Sequence, residues 1–386
     1  MKKSISVITA AVLLIEALPL YVLPADSAGG PEISAKAAVL ISASTGEIIY
    51  EKNCREKLPM ASTTKIMTTL LCIESGGLDE KFVVDSEAIK VEGSSMGLQG
   101  GDIVTKYALC CGMLLPSGND AANAAAVRIA GSIPAFADMM NEKARSLGLS
   151  HTYFATPSGL EGKEHGSSAY DMALLAREAL KNQTFRDICS QERICVEFGN
   201  PPYQRWLKNT NKLLSMYDGV YGVKTGFTDE AGRCLVSACR RNNIDLICVT
   251  LNDRCDWDDH MALYEHCFSQ AKPLELDLPE LPQLDIVGGE AEKLPLSYCG
   301  GATSVTVKDH GQDDFEYTFI SSPFVYAPVN IGDEIAQLSV SCKGREVTRI
   351  PLCAAENVPI KQAENRKNKK SGRLKKIIST LRDLLF

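Results

Sequence analysis

Ser62 and Lys65, three residues apart in Ser62-Thr63-Thr64-Lys65, are the pair in this chain best suited to covalent chemistry. At the opening of a helix they fall on one face, one turn apart, so the amine reaches the hydroxyl. A serine hydroxyl is a weak nucleophile until a base removes its proton. Lysine is that base only if its pKa is lowered, which partial burial and a second cation accomplish; Lys224 is the candidate cation. Ser117-Gly118-Asn119 supplies a hydroxyl to pass a proton to a leaving amine and an amide to hydrogen-bond a substrate backbone. Taken alone, Ser117 and Asn119 read as helix caps. Taken with the other clusters, they read as catalytic. In Lys224-Thr225-Gly226, the first two residues on a strand can bind a terminal carboxylate, and Gly226 admits close approach of a substrate backbone pairing along that strand.

Two other clusters compete. Gly93-Ser94-Ser95-Met96-Gly97 fits the strained serine turn of α/β-hydrolases. That turn needs a strand before it and a helix after it, whereas Lys90-Val91-Glu92 and Gln99-Gly100-Gly101-Asp102 flank this one. Cys255, His260, His266 and Cys267 match no standard zinc spacing and read as one amphipathic helix, so no metal is expected.

Around these clusters, 37–42 and 47–51 read as a hairpin about Ser44-Thr45-Gly46. Apolar residues at helical spacing predict helices over 62–74, 105–115, 119–129 and 172–180. Residues 221–225, 233–239 and 245–251 read as strands, and 257–271 as a closing helix. Strands at both ends with helices between them imply an α+β domain over 28–272. Pro273, Pro279 and Pro282 mark a linker over 273–283. Alternating apolar and polar residues then suggest a small β-rich domain over 284–356.

The chain has 386 residues, 45% hydrophobic and 23% charged, enough for two packed domains. Its net charge of −7 argues against nucleic-acid binding. Met1-Lys2-Lys3 and the apolar run from Ile5 to Leu23 read as a signal peptide cleaved after Ser27, with Ala28 a close rival. Of the 14 cysteines, Cys72, Cys110, Cys111 and Cys248 sit in apolar runs and read as small core residues, so mostly reduced thiols are expected. Residues 361–386 carry nine Lys or Arg against Glu364 and Asp383. Leu374, Ile377, Ile378, Leu381, Leu384 and Leu385 fall at helical spacing, so this tail reads as an amphipathic helix lying on an anionic membrane surface.

Pro59 to Thr68, Ser117 to Ala122 and Gly222 to Thr228 resemble the low-molecular-mass penicillin-binding proteins, and among them the serine-type D-alanyl-D-alanine carboxypeptidases. The resemblance runs from about Lys36 to Lys272 and continues more weakly beyond. It implies a penicillin-binding-protein/β-lactamase-like transpeptidase domain. Ser62 would be the nucleophile, Lys65 and Ser117 would move protons, and Asn119, Lys224, Thr225 and Gly226 would bind substrate. The backbone amides of Ser62 and Phe227 would form the oxyanion hole. It further implies peptidoglycan stem peptides as substrates, β-lactams as acylating mimics, no cofactor, and a site of action at the outer face of the cytoplasmic membrane. His165 and Asp171 lie in a stretch similar to one that borders the family's site, and a role in orienting a loop is expected of them. Three other readings stay open. A β-lactamase of the same fold is disfavoured because no Glu-x-x-Leu-Asn segment lies between Asn119 and Lys224. A DD-endopeptidase is a second. A non-catalytic wall-binding or β-lactam-sensing module is a third.

Overall fold

The computed structural model describes residues 30–160 and 162–361. The proposed signal peptide and all but the first residue of the basic tail lie outside them.

Among the described residues nine strands precede residue 254. They are β1 (Ala37–Ser42), β2 (Ile48–Lys52), β3 (Lys81–Val83), β4 (Ile103–Thr105), β5 (Arg193–Gly199), β6 (Pro202–Lys208), β7 (Val220–Thr228), β8 (Gly232–Arg241) and β9 (Ile244–Asp253). Five form one antiparallel sheet in the order β2-β1-β9-β8-β7. The near-continuous apolar runs of β1 and β9 follow from burial on both faces. Ala37, Val39, Ile41, Ile247, Val249 and Leu251 enter one core, while Ala38, Leu40, Leu246 and Cys248 enter the other. That is the two-residue period of a strand placed between two apolar layers.

The larger core holds α1 (Lys65–Glu74), α2 (Lys106–Leu114), α3 (Asn119–Ala130), α4 (Ile133–Ser146) and α5 (Ala169–Ala179), with the short α6 (Gln183–Cys189) and α7 (Leu213–Met216) beside it. The opposite face is covered by α8 (Asp256–Phe268), which contributes Leu263, Tyr264 and Cys267. In α1 every residue from Lys65 to Ile73 is buried. A helix closed in on all sides is a rigid mount, and Lys65 stands at its first turn.

The hairpin, the helices and the three long strands stand where the sequence places them, with ends shifted by a few residues. Other features differ: the 14-residue α4 and the short α6 and α7 were not anticipated. The helix expected from Ser62 begins at Lys65, and Ala61–Thr64 is a separate 3-10 turn. A four-stranded sheet, β3-β4-β5-β6, was not anticipated. Residues Lys272–Glu275, at the head of the expected linker, are a strand paired with Ser304–Val307. Pro273 is tolerated there because the ribbon has only two strands and an open edge.

Beyond residue 275 the described elements are strands and one short 3-10 turn. They enclose a core of Leu284, Val305, Val307, Leu338, Val340, Ile350 and Leu352. The β1–β2 turn meets this region through polar contacts. Ser42 Oγ donates to the Thr306 carbonyl at 2.7 Å, Thr306 N–H donates to Ser44 Oγ at 2.7 Å, and Asp245 N–H donates to Thr306 Oγ1 at 2.9 Å.

Twelve cysteines are free thiols and most are buried. Cys299 and Cys353 form a disulfide across 54 residues, a pairing that spacing alone does not reveal.

Candidate active site

Ser62 lies on the 3-10 turn directly ahead of the buried α1, at the outer edge of β7. Gly226 explains how strand and turn meet. A Cβ on Gly226 would stand 3.1 Å from the backbone nitrogens of Ser62 and Thr63. The glycine therefore admits the nucleophile's own backbone, a close approach that the sequence reading did not include. The consequence is that the edge of β7 and the N–H of Ser62 line the same small space.

Lys65 is the hub. Its Nζ donates to Ser62 Oγ at 2.8 Å, to Asn119 Oδ1 at 2.7 Å and to the Ser158 carbonyl at 2.5 Å. Burial, reinforced by the nearby charge of Lys224, holds this amine well below its ordinary pKa. Burial pushes Lys224 down to about 7. Lys224 is the cation beside the base, and its charge adds to burial in favouring the neutral form of Lys65. Deprotonated, the amine keeps two N–H donors for Asn119 and the Ser158 carbonyl and turns its single lone pair to the Ser62 hydroxyl, ready to accept its proton.

The cap reading of Ser117 and Asn119 does not hold. The N-cap of α3 is Gly118, with no side-chain cap bond. Ser117 is buried at φ +66°, a left-handed backbone unusual for a residue with a side chain. Such strain persists only where the surroundings impose it. Asn119 opens α3 and directs its side chain to Lys65, while its Nδ2 donates to the Glu92 carbonyl at 2.7 Å. One N–H and one lone pair remain for a substrate. Thr225 Oγ1 pairs with Thr210 Oγ1 at 2.7 Å, and Lys224 Nζ donates to the Thr225 carbonyl at 2.7 Å.

The competing serine is accounted for differently. Ser95 Oγ donates to Asp120 Oδ2 at 2.6 Å, and Met96, Gly97 and Leu98 give their N–H groups to the same carboxylate. Gly93–Gly97 is a loop clamped onto the start of α3, with neither strand before nor helix after it. Asp120 thus holds the loop whose Glu92 carbonyl orients Asn119. His260 does not face the cysteines near it in sequence: it bonds Ser237 at 2.7 Å and Thr250 at 3.0 Å inside the smaller core.

His165 accepts from Ala155 N–H at Nδ1, so Nε2 carries the proton toward Thr64 Oγ1, 2.9 Å away. Thr64 in turn donates to the Ala61 carbonyl at 2.8 Å. Asp171 accepts from His151 N–H at 2.7 Å and Thr152 Oγ1 at 2.8 Å. Both residues brace the 151–165 loop, as expected.

Three contributors were missed by sequence: the Ser158 carbonyl, the Asp120 carboxylate and the Thr210 hydroxyl. The first is a backbone atom and has no signature of its own, but the glycine after it has one. Gly159 has φ +86°, and a Cβ there would stand 2.0 Å from the Ala61 carbonyl oxygen.

The buried histidines set an acid limit. Burial lowers His165 to about 4 and His260 to about 3, from an ordinary 6.5. The unfolded chain therefore binds their protons first as pH falls from 6.5, and the stability they contribute above 6.5 is lost on the way to those values. Asp253, raised to about 6 by burial and by Asp259, works in the opposite sense with one proton. A net uptake of one proton on unfolding remains, or about 1.4 kcal/mol lost per pH unit between pH 6 and 5. Denaturant midpoints measured across that range should fall with pH; a flat profile would refute the assignment.

A serine on a 3-10 turn, a buried lysine of lowered pKa as its base and a glycine-edged β-strand beside them define a serine acyl-transfer enzyme on an α+β scaffold. The chain belongs to the D-alanyl-D-alanine carboxypeptidase family (Peptidase_S11), whose model matches residues 25–255. It is 31% identical over 370 residues to the D-alanyl-D-alanine carboxypeptidase DacF of Bacillus subtilis, covering 93% of this chain and 95% of that one. The crystal structure of the Streptomyces K15 DD-transpeptidase superposes with a TM-score of 0.60 at 30% identity, over 62% of this chain and 99% of that one. The D-alanyl-D-alanine carboxypeptidase DacD of Francisella tularensis superposes with a TM-score of 0.58 at 27% identity, over 89% of this chain and 97% of that one.

Proposed function

We propose that the enzyme removes the terminal D-alanine from peptidoglycan stem pentapeptides through an acyl-enzyme on Ser62. The observation that carries this is the three-way hydrogen bonding of the Lys65 amine to Ser62, Asn119 and the Ser158 carbonyl. Lys65 takes the Ser62 proton as Oγ attacks the carbonyl carbon of the penultimate residue. The N–H groups of Ser62 and Phe227 receive the developing oxyanion, each contributing about 3 kcal/mol. Ser117 relays the proton from Lys65 to the departing amine, and D-alanine leaves. Water then attacks the ester, its proton returns through Lys65 to Ser62 Oγ, and the free enzyme is restored. Asn119 binds the substrate backbone amide, and Lys224 with Thr225 binds the terminal carboxylate. β-Lactams acylate Ser62 by the same attack. Mass analysis of a pentapeptide ending in D-Ala-D-Ala after incubation tests the reading: loss of one alanine supports it, whereas cleavage confined to cross-linked dimers favours the endopeptidase.

Lys224→Ala should lower kcat/KM about 100-fold, because the carboxylate loses a charge-assisted partner in a dry site. The wild type should discriminate similarly against a C-terminally amidated peptide. Equal cleavage of amidated and free peptides would remove Lys224 from this role.

The reading places the enzyme outside the cell, with 1–27 removed and 361–386 lying on the outer face of the cytoplasmic membrane. The coincidence of an apolar stripe with Lys375, Lys376 and Arg382 supports this, at roughly 1 kcal/mol per basic residue on anionic lipid. Among the described residues no helix is long and apolar enough to cross a membrane. Deleting 361–386 should abolish co-sedimentation with anionic liposomes and leave peptidase activity intact. Equal sedimentation of both proteins would rule the tail out as the anchor.

A further inference from the structure

At the seam between the catalytic core and the strands beyond residue 275 lies a cavity of about 170 Å³. This is well above the ~10–15 Å³ that one water needs. Arg177, Lys181, Arg186 and Arg240 line it, with Asp245 the one carboxylate among its lining residues. On a protein of net charge −7 that is a concentrated patch of the opposite sign.

Among the described residues the balance of partners leaves Arg177 and Arg186 without a directly paired carboxylate, Glu178 acting on Arg177 only from a distance. Asp245 is already committed, to Arg240 and to the Tyr221 hydroxyl at 2.7 Å. Lys181 pairs with Glu178 at 2.8 Å, outside the cavity lining. Arg186 bonds only the neutral Gln183. Arg177 donates Nε to the Ala43 carbonyl at 2.9 Å and Nη2 to the carbonyls of Ser44 and Val347. Neither Arg177 nor Arg186 has a carboxylate within ion-pair distance among the described residues. Burial lowers the Arg177 pKa, yet a guanidinium stays charged at any physiological pH. Arg177 is only partly exposed, and a charge drawn out of water is ordinarily paired, because losing hydration without a counter-ion is costly. Three backbone carbonyls satisfy hydrogens but bring no negative charge.

We propose that this seam cavity is a binding site for a phosphate-type oxyanion, supplied as free phosphate or as the phosphate end of a small ester. Planar guanidinium groups match the oxygens of such an anion in pairs. Arg177 reaches across the seam, from α5 to the β1–β2 turn and to Val347, so an anion on it also fastens the two parts of the chain together. None of its lining residues is one of the Ser62 site, so occupancy acts on stability and not on the peptidase chemistry.

The test is titration calorimetry and thermal unfolding of the full chain with sodium phosphate and with glycerol 3-phosphate, against sodium chloride at matched ionic strength. Saturable one-to-one binding with a Kd of about 1 mM or tighter is expected, with a rise in Tm that chloride does not reproduce. Binding of phosphate but not of the ester would identify the free ion; binding of both would admit the ester. Arg186→Gln, at a half-exposed position, should fold normally and weaken binding about tenfold. Arg177→Gln should weaken it further; if that variant fails to fold, Arg186→Gln decides. Absence of saturable binding by the wild type, or undiminished binding by Arg186→Gln, overturns the proposal.

Discussion

Ser62→Ala should abolish both D-alanine release and covalent labelling by a fluorescent penicillin, with kcat/KM falling by about 10⁴-fold or more. The size follows from the chemistry. No other hydroxyl touches the Lys65 amine among the described residues, and without an acyl-enzyme the reaction has no second route of comparable rate. The variant should fold, because Lys65 keeps Asn119 and the Ser158 carbonyl as partners. Unfolding midpoints should therefore stay close to the wild type while labelling vanishes. Full labelling of the variant would overturn the nucleophile, and labelling transferred to Ser95 would restore the α/β-hydrolase reading of Gly93–Gly97.

Gly159→Ala should be nearly as damaging, although residue 159 carries no reactive group. The new Cβ would stand 2.0 Å from the Ala61 oxygen, 2.5 Å from the Ala61 carbonyl carbon and 2.9 Å from Thr64 Oγ1. Backbone cannot yield as a flexible side chain would, so either the 155–160 loop retreats and takes the Ser158 carbonyl from Lys65, or the turn bearing Ser62 shifts. Misplacement by about 1 Å costs roughly 100-fold in rate, and φ +86° adds about 1–2 kcal/mol of backbone strain. Gly148→Ala is the control: its φ is +71°, but nothing lies within 4 Å of a Cβ there. It should lose some stability and keep its activity. Wild-type kcat/KM in Gly159→Ala would show that the loop carbonyl does not position the base.

These two variants mark the boundary of what the sequence discloses. Ser62, Lys65, Ser117, Asn119 and Lys224 are legible because side-chain type and spacing announce them. Apolar runs also disclose β1, β8 and β9, which are buried on both faces. The Ser158 carbonyl is not legible, since any residue could supply it, and Gly159 reads as an ordinary turn glycine until Ala61 is placed against it. Gly226 was legible as a close approach, but not as an approach to Ser62. The sheet β3-β4-β5-β6 escaped because β3 and β4 are only 3 residues long, and the apolar residues of β5 and β6 are interrupted irregularly by Arg193, Glu197, Gln204, Arg205 and Lys208. Pro273 hid a strand because it reads as a break unless the edge is known to be open.

The Lys65 amine gathers partners from the adjacent turn, from 54 residues away and from 93 residues away. Serine reactivity is therefore not a property of the Ser62-Thr63-Thr64-Lys65 tetrapeptide but of the finished tertiary structure. An unfolded or half-folded chain has a solvated, protonated lysine and an inert serine, so a chain crossing a membrane unfolded would carry no premature activity. By the same logic a penicillin adduct is a census of native molecules. Along a denaturation curve, the amplitude of labelling should count the folded fraction directly, giving a conformational probe that needs no spectroscopic signal from the protein.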